Sequence, residues 1–240
     1  MRADVRKGAV LFTALGLGIT LLVAAGALLD VKLALSPLFE CVVKAAAVVL
    51  LLLLLRRWKG ESLFAGSLFS PWSLLILPPV ALQFLLARVT ATREVALTNL
   101  AFALVSVLLT VLWEELLFRG LTVTLFGKEG KLPVWSAALS CAVFAVCHLI
   151  NLLSAKTTDS VLLQVGYAAC CGVFFLGIFL RTRTLFAPMT AHFLLNGIQR
   201  YYDLQSGIAG DWSGKPVLFL LMLILLFTGA WMLWKPCVKE

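Results

Sequence analysis

Two glutamates stand side by side at the end of a long apolar run. Ala96 to Trp113 is 18 residues without a charge, and Glu114-Glu115-Leu116-Leu117-Phe118-Arg119-Gly120 follows it. Neighbouring residues on a helix point about 100° apart, so the two carboxylates cannot serve the same purpose. Glu115 lies four residues before Arg119, the favourable order for an ion pair on one helical face. Glu114 shares its face with Phe118 instead, which leaves it as the carboxylate suited to general-base work. The chain has 2 histidines, and each has a motif partner four positions away, Phe144 before His148 and Asn196 after His192. A charge near the centre of a bilayer costs about 2.5 to 3.5 kcal/mol. Polar residues of these types inside apolar helices therefore point to a site at the centre of a bundle.

The elements that must position them follow from composition. The 240 residues are 62% hydrophobic, with 20 Lys and Arg against 12 Asp and Glu. That balance excludes an ordinary soluble domain and a disordered chain. The net charge of +8 is scattered in clusters of two or three, which argues against a nucleic-acid binder. Apolar stretches run over Gly8 to Leu29, Pro37 to Leu55, Pro71 to Ala87, Val95 to Phe126, Pro133 to Leu153, Val161 to Leu180, Thr184 to Tyr201 and Pro216 to Trp234. Each is expected to be a helix, because hydrocarbon offers backbone groups no partner and the runs lack the alternation of barrel strands.

The expected fold is an all-α polytopic membrane bundle of about eight transmembrane helices, a single integral membrane domain over 1–240. Of the 20 Lys and Arg, thirteen fall on one side if the N-terminus is inside and six on the other, which predicts both termini in the cytoplasm. Pro78 and Pro79 are expected to break or kink the third span, and Gln83 and Arg88 shorten its apolar run. Arg2, Arg6 and Lys7 precede an apolar run ending in Ala25-Gly26-Ala27, but its length matches a full span, so an uncleaved first helix is expected. Counted from the cytoplasmic end of each span at about 1.5 Å per residue, Glu114 lies about 18 Å in, His148 about 22 Å, His192 about 12 Å and Asn196 about 18 Å. The four side chains can share one level.

With these residues in order, the sequence resembles the CPBP intramembrane proteases, the family named for CAAX proteases and bacteriocin-processing enzymes and also called Abi or type II CAAX-endopeptidase-like proteins. EExxxR stands as Glu114-Glu115 to Arg119, FxxxH as Phe144 to His148, and HxxxN as His192 to Asn196. The approach Arg181-Thr-Arg-Thr-Leu185-Phe-Ala-Pro188-Met-Thr-Ala-His192 is also family-like. The resemblance covers about Val107 to Gln199, so 107–199 is the expected catalytic core. It implies an intramembrane glutamate-dependent endopeptidase in which Glu114 and His148 activate a water molecule and His192 and Asn196 form an oxyanion hole. Glu115 and Arg119 would hold the site in shape, with Phe144 in support. The residue types fit, since an Asn amide and a His N–H are donors suited to a developing negative charge.

A metal-dependent alternative stands beside this one: Glu114, His148 and His192 would supply a His₂Glu zinc set with one coordination position open for water. The chain lacks the HExxH helix of most zinc peptidases, so no cofactor is the preferred expectation, with zinc as the alternative. A different class is a non-catalytic membrane scaffold or transporter-like protein using the same polar cluster for binding. The expected partners are the lipid bilayer and a peptide or a lipidated or membrane-anchored protein, with no nucleic acid. The substrate classes open to such an enzyme are a prenylated CAAX protein, a bacteriocin or signalling-peptide leader, and a sorting-type membrane tail. The small size without long loops points to a prokaryotic plasma-membrane protein.

Other residues have structural readings. Glu40 and Lys44 are expected to pair across one turn, with Lys44 reaching toward the interface. The six cysteines lack CxxC spacing and read as packing residues, and Cys237 is not followed by a good CAAX box. Trp58, Trp72, Trp212, Trp231 and Trp234 fall at span ends, where an interfacial belt is expected. Gly16 and Gly18, and Gly166, Ala169 and Gly172, are expected at close helix packing.

Overall fold

The computed structural model describes residues 3–33, 38–58, 62–88, 94–128, 131–153, 157–206 and 215–234. Among them the only extended pairing is an isolated bridge between Lys128 and Lys131, and everything regular is helical. The helices are α1 (Ala3–Leu33), α2 (Leu38–Arg57), α3 (a 3₁₀ stretch Pro71–Ile76 running into Leu77–Arg88), α4 (Leu97–Phe126), α5 (Val134–Leu153), α6 (Thr158–Thr182), α7 (Phe186–Ser206) and α8 (Lys215–Trp234). Among the described residues eight helices form, one at each of the eight apolar stretches of the sequence. Six of them are long and apolar enough to cross a membrane.

The two that are not differ for separate reasons. The apolar part of α3 is short, Pro71–Leu85. Pro78 and Pro79 do not break it, because they sit in the first turn of its α-helical part, where a missing N–H costs nothing. In α7 the sequence exchanges apolarity for chemistry, carrying His192, Asn196, Gln199, Arg200 and Asp203 along its length.

Helix α6 is the axis of the bundle. Phe174, Phe175, Leu176 and Ile178 are fully buried on it, and it packs against α8, α5 and α7. Around it α4 lies on α7 and α2, α1 on α2 and α5, and α3 on α7 and α8. The outer faces remain apolar: Val10, Val42, Leu97 and Phe227 are all exposed, which a protein in water would not tolerate but lipid favours. Hydroxyls inside the helices bond back one turn, as Thr20 Oγ1 does to the Gly16 carbonyl at 2.7 Å and Thr182 Oγ1 to that of Ile178 at 2.8 Å.

One close helix crossing is not revealed by spacing. A Cβ on Gly229 of α8 would stand 2.6 Å from the Phe174 nitrogen and 2.7 Å from its Cα, and Gly177 faces the Gly229 carbonyl in return. Backbone cannot give way as a side chain can, so Gly229→Ala is expected to destabilise the fold by about 1–3 kcal/mol, measured by chemical unfolding in micelles. Gly16, Gly166 and Gly172 do pack closely, against Val143, Met222 and Cys141. Gly18 does not; its Cβ direction is open.

Lys44 departs from expectation as well. It pairs with Glu40, but its ammonium is buried and donates to Ser106 Oγ of α4 at 2.8 Å rather than reaching the interface. Among the described cysteines all thiols are free, with Cys147, Cys170 and Cys171 buried as packing residues. Trp72 and Trp231 meet at 5.4 Å near one end of the bundle, capped by Arg181 4.5 Å over the Trp72 ring. Trp212 and Cys237 lie outside the described residues, as do Arg2 and Lys59.

Candidate active site

The Glu-Glu pair sits where α4 changes its winding. Through Glu115 the helix is α, and Leu116–Leu121 is a π-helical turn. The Phe118 carbonyl in this turn accepts two hydroxyls, from Thr122 at 2.6 Å and from Ser140 of α5 at 2.5 Å. Ser140 thereby ties this turn to the helix carrying Phe144 and His148. Such single-turn insertions occur disproportionately at functional sites.

Glu115 is fully buried and Arg119 all but so. Arg119 Nη1 donates to Glu115 Oε1 at 2.8 Å, the pairing expected from spacing. The guanidinium lies 4.4 Å over the Phe144 ring and 5.2 Å over that of Phe175, and its second nitrogen reaches the Gly172 carbonyl at 3.4 Å. A cation between two aromatic faces and a carboxylate is held in one orientation. What spacing does not reveal is that Glu115 Oε1 also accepts from His192 Nδ1 of α7, again at 2.8 Å. Glu115 therefore joins α4 to α7. Its other oxygen and Arg119 Nε have no hydrogen-bond partner among the described residues, so the cluster is not optimised for stability alone.

His192 is buried, stacked on Phe175 at 4.7 Å and edge-on to Phe144 at 6.0 Å. Because Nδ1 gives its proton to Glu115, Nε2 is the atom turned to Glu114, 3.6 Å from Oε2. Glu114 thus keeps its carboxylate out of the Arg119 pair. His148 opens the 3₁₀ end of α5, where its Nδ1 donates to the Phe144 carbonyl at 2.9 Å. A carbonyl can only accept, so in the neutral ring Nε2 is an acceptor.

Glu114, His148 and Asn196 line one cavity of about 270 Å³, and His148, His192 and Asn196 line a second of about 210 Å³. The three motifs, from three helices, therefore converge on one locality. Gln83 of α3, Trp113 of α4, Gln164 of α6 and the Glu40–Lys44 pair of α2 also stand on these walls. None belongs to a motif; the only sequence signal was their polarity or size within apolar helices. Among the described residues no three His, Cys, Asp or Glu side chains gather closely enough to hold an ion.

Residues 96–198, which contain all three motifs, match the family model described as Type II CAAX prenyl endopeptidase Rce1-like. That segment is similar to the CPBP, or CAAX-protease, family. No curated protein matches the chain, and no solved structure does. The matched segment starts at the foot of α4 and ends within α7, and thus includes both walls of the Glu115 bridge.

Proposed function

We propose that this integral membrane protein is an endopeptidase that cleaves a peptide bond by water activated at Glu114 and His148, with His192 and Asn196 receiving the oxyanion. The observation that carries the reading is the division of labour between the glutamates. Glu115 is engaged by both Arg119 and His192, while Glu114 stands on a cavity wall. In the proposed cycle Glu114 takes a proton from water as its oxygen attacks the carbonyl. The same proton then passes to the departing amine. A His192 ring that gives Nδ1–H to Glu115 and Nε2–H to the oxyanion carries both protons, and the Asn196 amide adds a second donor.

The proposed substrate class is the C-terminal CAAX tail of a prenylated protein, the class that the family description names. The proposed catalytic core is 107–199 within a single membrane domain, in a prokaryotic plasma membrane with both termini cytoplasmic. A reporter active only outside the cytoplasm should stay silent when fused to either terminus; activity at both ends would reverse the orientation, and activity at one end would put the termini on opposite sides.

The test is substrate trapping. Glu114→Gln and the wild type are expressed in native membranes, and their peptidomes and co-purified proteins are compared by mass spectrometry. A protein left uncut or retained only by the variant supports proteolysis and names the substrate. Matching profiles from equally expressed, folded proteins would favour the scaffold reading. Catalysis is further proposed to need no metal, so a chelator should leave cleavage within about twofold; reversible loss restored by zinc would transfer Glu114, His148 and His192 to a metal set.

A further inference from the structure

The two cavities share a wall made of Phe144, His148, Gln164 and Asn196. Glu114 stands in the first with Trp113, and His192 in the second with Gln83 and Gln199. Each chamber also has one buried residue with an unmade hydrogen bond. Trp113 and Gln83 are each 4% exposed, and among the described residues Trp113 Nε1 and Gln83 Oε1 have no partner.

The orientation of Gln83 is fixed by a relay. The Asp203 carboxylate only accepts, so Gln199 turns Nε2 to it at 3.0 Å. Gln199 Oε1 then receives Gln83 Nε2 at 2.8 Å, which leaves Gln83 Oε1 as an acceptor. The indole nitrogen of Trp113 is a donor only. One donor and one acceptor thus flank the motif residues. An extended main chain offers the complement, a carbonyl and an N–H. A hydrocarbon chain offers neither, and an anion would satisfy Trp113 but be repelled by the Gln83 oxygen.

We propose that the chambers form one peptide channel, in which a substrate main-chain carbonyl accepts from Trp113 Nε1–H and a main-chain N–H donates to Gln83 Oε1. The inference rests on the peptidase reading and adds to it two substrate-binding residues, which read the backbone rather than side chains. Specificity at those two positions is therefore loose in sequence and strict in requiring an unblocked amide.

The probe is a farnesylated peptide ending in cysteine, two aliphatic residues and a variable residue, together with analogues N-methylated at one backbone amide at a time. Binding is measured in nanodiscs on a Glu114→Gln background, with Trp113→Phe or Gln83→Leu added. Each addition is expected to raise Kd about five- to tenfold. One N-methyl position should weaken binding by a similar factor unless Gln83→Leu is present, and Gln199→Leu, which also breaks the link to α7, should keep that penalty. The scan without the added substitutions decides the matter even if a variant fails to fold, because a bound peptide with no penalised amide overturns the channel. So does a penalty unchanged by Gln83→Leu. Binding by the wild type without cleavage would remove the peptidase reading and leave the channel; cleavage with no coupling would do the reverse, and no binding at all removes both.

Discussion

Glu114→Gln is expected to lower peptide cleavage by about a thousandfold or more, a general base being worth about 10²- to 10⁴-fold. The amide has the shape of the acid but cannot take a proton from water. Stability should hardly change, because Glu114 is not part of the buried Arg119 pair and its ionic contact among the described residues, His192 Nε2, is a long one at 3.6 Å. Activity is measured on the farnesylated peptide, and folding by thermal unfolding of the purified protein in detergent. Glu115→Gln makes a useful contrast. It weakens the hold on both Arg119 and His192, so it should lower activity and stability together. Full activity in folded Glu114→Gln would remove this residue from the role of base.

Arg119→Ala should be the most destabilising single substitution at the site, by about 3–5 kcal/mol, because it strands a fully buried carboxylate. His192 would be the one cation-capable contact left to Glu115 among those described. The substitution also removes the guanidinium from between Phe144 and Phe175, so lost packing adds to lost charge. Arg119→Lys should recover part of the stability but not the planar contact with the two rings. Removing both charges, as Glu115→Gln with Arg119→Met, should cost less than Arg119→Ala alone; a double variant that is worse would show that the ion pair itself is not the source of the loss.

The sequence made some of this readable and hid the rest for physical reasons. Local spacing places Glu115 against Arg119, because residues four apart on a helix must be neighbours. No such rule brings Glu115 to His192, 77 positions away, so that bond depended on how α4 and α7 pack. Lys44 is similar: its spacing from Glu40 is plain, but its burial and its bond to Ser106 depend on another helix. The apolar runs locate all eight helices, yet α3 is short and α7 polar, and the same patterning cannot say which of these cross the bilayer. Gln83 could be noticed only as an exception within an apolar stretch. Its role in the relay to Asp203 depends on Gln199, which no spacing rule links to it.

The π turn at Leu116–Leu121 also bears on how this helix is aligned with others. A π turn holds one residue more than the α-helical turn it replaces, so the angular phase set by Leu97–Glu115 does not continue into Thr122–Phe126. The two halves of α4 are offset by about one residue, or roughly 100°. The first half faces α2 and α7, while the last turn faces α1 and α5. A single-residue change in chain length, rather than any substitution, is what separates this arrangement from an uninterrupted helix that could keep only one of those faces.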